Sequence, residues 1–398
     1  MPLQPQPSSH ERLATSAELT PSHPGRYAPH MAGTAISVLG ATGYTGGLIV
    51  HELRRRGVAV LAAARNRDKL QPLVENLGVE PFVADVRDAA SLDRLAQRSR
   101  VIINTVGPFV DYGEPVIRAA ISNGTHYLDT TGEQPFVKAM LAHDEWARRQ
   151  RVAVVCAQAF EVAVADCAAA IAAAGFRDLA AIHVTYATGA HPSQGTQRTV
   201  LRMLQSVGYA YRGSAWVEER AAASTRRVDF PPPLGWAAAV SFPSAEVITI
   251  PRHLSVREVR TFMVVPRFAA RLVSAAAPSV GALLRTPLGR LARRVIGEGT
   301  GGPDVATRAG DAFHLAIDVR GVRAGAAASG RLLLRGHDPY GLTAVIAAYG
   351  AQQMCAAGYD RAGVLAPASA FAPRALLDHL RQFGLTYEAG ASETKRGT

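Results

Sequence analysis

Gly40, Gly43 and Gly46 stand three residues apart in GATGYTG, directly after the apolar run AISVL (35–39) and directly before the helical segment LIVHELRRRG. Glycines at this spacing between a strand and a helix let the backbone turn tightly and approach a pyrophosphate. The phosphate charge is then met by free N–H groups at the helix start. The pattern assigns Gly40, Thr42, Gly43, Tyr44, Thr45 and Gly46 to dinucleotide binding. A glycine-rich turn without a ligand has the same local composition, and what favours a cofactor is the strand rhythm that continues downstream.

The second strand ends in AAARNRDKL. A site specific for NAD places Asp or Glu about twenty residues beyond the glycines, to accept from the ribose hydroxyl. Here Arg65 occupies that strand end with Asn66 beside it, and a guanidinium suits a 2′-phosphate by charge and by fork geometry, so NADP(H) is the expected cofactor. Arg67 and Lys69 read equally well as a solvated helix start. Asp85, at the end of the third strand, is placed to approach the adenine edge. Asn104, Val106, Gly107 and Pro108, in NTVGPF at the end of the fourth, fall near the nicotinamide, because open α/β sheets bind ligands at the carboxyl ends of their strands. The same segment also reads as a plain strand-to-helix turn.

Hydride transfer is the cofactor's chemistry, so the protein has to orient a substrate and supply a proton. Tyr112, Glu133, His253 and Tyr340 are the candidates for that work. Each also has a structural reading: packing at turns for the tyrosines, a helix start near Pro135 for Glu133, and the surface for His253. The twelve histidines form no H-x-x-x-H or H-E-x-x-H spacing, so no metal site is expected. A G-x-S-x-G hydrolase elbow is absent as well.

The elements that must position these residues follow an α/β rhythm. From Thr34 to about Gly175, six strand-like runs (35–39, 58–63, 81–85, 101–105, 126–130 and 152–157) alternate with helical segments, the pattern of an N-terminal Rossmann doubly wound parallel sheet. Beyond Gly175 the runs 181–189, 246–251, 259–265, 312–321 and 330–336 predict a second α/β domain with a mixed or antiparallel sheet. A helix is predicted over Gln194–Val207, and two more over Gly341–Ala357 and Pro373–Phe383. The expected division is a tail over 1–33, a nucleotide domain over 34–175 and 340–390, and a substrate and dimerisation domain over 176–339.

The 398 residues, 48% hydrophobic and 19% charged, suffice for two cores around one cleft. Cys156, Cys167 and Cys355 are too scattered for a disulfide framework, which fits a reducing cytoplasm. Residues 1–30 lack the apolar core of a secretion signal. The net charge of +11 raises the question of an acidic partner, but no basic run is interleaved with stacking aromatics, so nucleic acid is not expected. The basic apolar stretch 268–297 contains the uncharged segment Leu272–Leu284, too short to span a bilayer. It reads as a contact with an anionic membrane surface or a cover for a lipid-like substrate; a helix pair packed on the second domain is favoured, since Pro278 and Pro287 would break an interfacial helix.

GATGYTG, AARNRDKL, INTVGPFVDYGEPVIRAAISNGTHYLDTTGE (103–133), GPDVATRAG (302–310), DPYGLTA (338–344) and GVLAPASA (363–370) together resemble the saccharopine dehydrogenase-like oxidoreductase family, which includes bacterial trans-acting enoyl reductases. The resemblance implies an NADP-binding Rossmann domain, a second α/β domain, C-terminal helices returning to the first domain, and a homodimer. It departs at CAQAFEVAVAD (156–166), where only Phe160 and Asp166 keep the family pattern and Glu161 replaces an Asp. The expected function is an NADPH-dependent reductase of a C=C, C=N or C=O bond in a small-molecule substrate, hydrophobic or carrier-bound. The alternatives are a saccharopine-type amino-acid dehydrogenase and a non-catalytic NADP-binding sensor or scaffold.

Overall fold

The computed structural model describes residues 35–189, 207–267, 269–272, 274–275 and 301–390. Strand and helix alternate through β1 (Ala35–Leu39), α1 (Tyr44–Arg55), β2 (Val60–Ala64), α2 (Gln71–Leu77), β3 (Glu80–Val83), α3 (Ala89–Arg98), β4 (Ser99–Asn104), α4 (Phe109–Ser122), β5 (His126–Asp129), α5 (Gln134–Met140), α6 (Asp144–Arg149), β6 (Ala153–Val155) and α7 (Phe160–Ala172). The six strands are parallel, in the spatial order β6-β5-β4-β1-β2-β3. Apart from β3 at the edge, they are buried almost throughout, as strands covered by helices on both faces must be. The chain reverses its direction of travel between β1 and β4, and the loops after those two strands therefore face one crevice. GATGYTG and NTVGPF are those loops.

A seventh strand extends this sheet. β15 (Gly363–Leu365), followed by the single turn α11 (Pro367–Ala370), runs parallel to β6, although its sequence, GVL, is too short to announce a strand on its own. The helix α10 (Pro339–Cys355) packs with α1 in one apolar cluster, its Ala344, Ala347, Ala348 and Ala351 against Ile49, Val50 and Leu53.

The second sheet is mixed and nine-stranded. Its main path runs β10 (Thr225–Asp229), β11 (Trp236–Ser241), β12 (Glu258–Val265), β7 (Arg177–Thr188), β13 (Ala312–Arg323), β14 (Ala326–His337) and β16 (Thr386–Ala389). A hairpin of β8 (Gly208–Arg212) and β9 (Ala215–Glu219) attaches through β8 to β12. Among the described strands of this sheet only β12 and β7 are parallel neighbours. One face of the sheet packs on α7 and on α12 (Pro373–Arg381) around Phe160, Val164, Ile182, Val184, Leu315, Ile317 and Leu376. The helix α7 is apolar nearly all round and buried nearly all round, as a helix enclosed between layers should be.

Three expectations change. EVITIP (246–251) is not a strand: it forms α8 (Glu246–Thr249) and a following 3₁₀ turn, Ile250–Arg252. A short apolar run buried on every side has no periodicity to distinguish the two states. The strands β8, β9, β10, β11 and β16 were not foreseen, because GYAYR and TRRVD carry little apolar signal and WAAAVS reads as a helix former. The segment after residue 339 does not return to the first sheet alone, since β16 pairs with β14. The tail over 1–33, nearly all of the Gln194–Val207 helix and most of 268–297 lie outside the described residues. Among the described residues no helix is long and apolar enough to cross a membrane.

Candidate functional site

The glycine loop is held by backbone and by contact. Gly40 and Ala41 donate to Ala63 O at the end of β2, and Gly43 donates to Gly40 O at 2.9 Å. Gly40 has φ +88°, and a Cβ there would stand 2.5 Å from Thr105 Oγ1; a Cβ on Gly46 would stand 2.1 Å from Gly40 O. No side chain fits at either position. Thr105 Oγ1 itself donates to Leu39 O at 2.9 Å, which ties the β1 loop to the β4 loop. Gly43 is the N-cap of α1 and offers no side-chain cap. The first N–H groups of the helix, on Tyr44, Thr45 and Gly46, thus lack an intrahelical partner, and that is the donor set a phosphate needs. Thr42, Gly43 and Thr45 are partly exposed at this mouth.

Arg65, exposed at the end of β2, makes no hydrogen bond or ion pair among the described residues. No carboxylate stands at that strand end to take a ribose hydroxyl, so the loop and its neighbour together fit a dinucleotide with a 2′-phosphate better than one without.

Under the β4 loop lies a buried polar chain. Asn104 Oδ1 accepts from Val106 N at 3.0 Å, and Asn104 Nδ2 donates to Tyr127 Oη at 3.1 Å. Tyr127 donates to Asp129 Oδ2 at 2.9 Å, while Asp129 Oδ1 accepts from Thr131 N and Ala157 N. Burial raises the Asp129 carboxyl to about 6, against the pull of those N–H groups and of Tyr127. The network fixes the carboxyl ends of β4, β5 and β6 relative to one another. Val106, Gly107 and Pro108 form the rim above it, Gly107 exposed and its neighbours half-buried.

Several predicted residues do other work. Asn104 is fully enclosed and its amide is used within this network, so its side chain shapes the turn rather than touching a ligand. Asn66 Oδ1 accepts from Asp68 N at 2.8 Å and Lys69 N at 3.3 Å, capping the turn that follows β2. The Tyr44 hydroxyl donates to Pro303 O at 2.6 Å and its ring meets Tyr340 edge to face at 5.2 Å. Asp85 is engaged by Arg87.

The four catalytic candidates are not gathered at one point. Both carboxylate oxygens of Glu133 cap α4, accepting from Phe109 N at 3.0 Å and Val110 N at 2.9 Å. His253 is not a surface residue: its Nε2 lies 3.0 Å from Asp166 Oδ1, deep against α7. Burial opposes its protonation, and the Asp166 charge and hydrogen bond outweigh that and raise its pKa. Tyr340 belongs to the Tyr44 contact in the first turn of α10. Tyr112, half-buried in the first turn of α4, remains beside the crevice.

Sequence reasoning missed a pair of acids. Glu161, in the first turn of α7, and Glu246, on α8, are close enough to act on each other's charge, with Asp166 one further turn along α7. Glu246 is fully enclosed, and neither of its oxygens finds a hydrogen-bond partner among the described residues. The only signal was the departure of CAQAFEVAVAD from the family pattern, which marks Glu161 but not its neighbour.

With this geometry in place, residues 36–175 match the model of the saccharopine dehydrogenase NADP binding domain. The similarity is to that domain, and the rest of the chain lies outside the match. The mouse saccharopine dehydrogenase-like oxidoreductase is 34% identical over 149 residues, 32% of this chain and 35% of the mouse protein. A trans-acting enoyl reductase of Mycobacterium ulcerans is 38% identical over 112 residues, 26% of either chain. The matched stretch therefore spans about a third of the length of the mouse relative. The apo saccharopine dehydrogenase (L-Glu forming) of Saccharomyces cerevisiae shares the fold with a TM-score of 0.58, at 13% identity, over 90% of this chain and 100% of that one. The matched stretch holds the glycine loop, Arg65 and the β4 rim, while Pro303, just ahead of the short helix α9 (Val305–Gly310), and Glu246, on α8, lie outside it.

Proposed function

We propose that the chain is an NADP(H)-dependent reductase that transfers hydride to a C=C, C=N or C=O bond of a small, hydrophobic or carrier-bound metabolite. The observation that supports this best is the strand end after β2. An unpaired guanidinium, Arg65, stands beside a glycine loop whose helix start offers free N–H donors, where an NAD site would hold a carboxylate. When bound, the nicotinamide supplies the hydride; the chain's part is to fix the phosphates at α1, hold the rim of the β4 loop, and exclude water from the crevice. The similarity to an enoyl reductase favours a C=C substrate, and our reading places the enzyme in the cytoplasm as a homodimer.

Parallel titrations with NADPH and NADH test this reading. Charged hydrogen bonds are worth about 1.5–3 kcal/mol, so Arg65→Ala should weaken NADPH by roughly 10- to 100-fold and leave NADH within about twofold. Failure of the wild type to bind either nucleotide would remove the proposal. A second reading, a cofactor-binding module without turnover, is favoured by the internal commitments of Glu133 and His253. Substrate-dependent NADPH oxidation across enoyl, imine and carbonyl panels separates the two.

A further inference from the structure

Asp85 and Arg87 follow β3 at its carboxyl end, next to the strand that ends at Arg65. The Arg87 Nε donates to Asp85 Oδ1 at 3.2 Å and its Nη2 donates to Oδ2 at 2.9 Å; the Arg87 backbone N–H donates to Oδ1 at 2.9 Å as well. The Arg87 side chain is nevertheless 66% exposed. An ion pair this exposed contributes little to stability. Its effect is geometric: one edge of the guanidinium is fixed, and a flat face stays open.

The surroundings say what that face meets. The charge of Arg65 reaches Asp85, and Tyr112 is near enough to act on Arg87, so the four groups share the edge of the crevice where the adenosine half of a dinucleotide lies. The two arginines are not equivalent there. Arg65, with its fork unfilled, suits a phosphate. Arg87, with its fork filled by a carboxylate, has a planar cationic face to offer, which suits an aromatic base.

We propose that Arg87, held by Asp85, stacks its guanidinium on the adenine ring of the bound nucleotide, while Arg65 takes the 2′-phosphate. Asp85 is then a positioning residue and does not touch the base. This assignment rests on the NADP(H) reading above and deepens it, because it divides affinity for the base from selectivity for the phosphate.

Dissociation constants for NADPH, NADH and 2′,5′-ADP, measured on the full chain and its variants, provide the test. Arg87→Ala should weaken NADPH and NADH by the same factor, roughly 5- to 30-fold, and leave their ratio unchanged, whereas Arg65→Ala changes the ratio. The fragment 2′,5′-ADP should lose affinity with either variant. Asp85→Asn should weaken both dinucleotides by a smaller factor, and Asp85→Glu should recover part of it. Loss of NADPH affinity alone in Arg87→Ala, or no loss at all, overturns the stacking role while the cofactor reading stands. A wild type that binds neither dinucleotide overturns both.

Discussion

Glu246 sits on α8 with its carboxyl enclosed, and burial pushes it up to about 8, with the charges of Glu161 and Asp166 adding to the effect. The group therefore keeps its proton in the fold over a range where the unfolded chain, titrating near 4.5, has lost it. The folded state binds the extra proton, so stability falls as pH rises from about 4.5 to about 8 and levels above that. Glu246→Gln, which cannot ionise, should melt with a smaller drop between pH 5 and pH 9 than the wild type. An unchanged drop would mean that Glu246 has its charge compensated in solution. Glu161 opens α7, the helix that follows β6, and Glu246 lies on α8, which packs against α5, α7 and β12.

At the scale of elements, the ends of α10 and of the hairpins are set by a few backbone positions. Asp338 adopts φ +52° and its Oδ1 accepts from Gly341 N at 2.8 Å, so one residue both turns the chain and caps a seventeen-residue helix. Asp338→Ala should cost about 1–2 kcal/mol in unfolding free energy, and Asp338→Asn, which tolerates the same backbone and keeps an acceptor, should cost much less. Much of this architecture was legible in the sequence. The boundaries of β1 emerged as expected because a buried parallel strand is a continuous apolar run, and the glycine loop because only glycine fits at Gly40 and Gly46. The β8–β9 hairpin was hidden, since its strands are polar; its turn was nonetheless written in Gly213 and Ser214, both at positive φ, as a two-residue hairpin loop requires. Arg87 was hidden for another reason: its value depends on a carboxylate two residues away, and spacing alone made Asp85 the more obvious ligand.

The whole molecule is joined by its last elements. The segment after α10 gives β15 to the first sheet and β16 to the second, while α12 closes the apolar layer between the second sheet and α7. Removing residues 356–390 would leave β6 and β14 as bare edges and uncover Phe160, Leu332 and Leu334. The truncated chain should elute as an aggregate on size exclusion, not as a compact monomer with one damaged domain. A well-folded truncation product would show that the nucleotide domain is self-sufficient. The sequence divided the chain more cleanly than the fold does, because β15 and β16 are three and four residues long and owe their pairing to edges built by residues far upstream.

The same threading has a consequence during synthesis. Residues emerge from the ribosome in order, so β6 and β14 stand uncovered until the segment that carries β15, α12 and β16 clears the exit tunnel. For that interval two strand edges that the finished fold covers stay open to other chains, and the yield should depend on how fast the segment after α10 is delivered and on whether a chaperone shields those edges meanwhile.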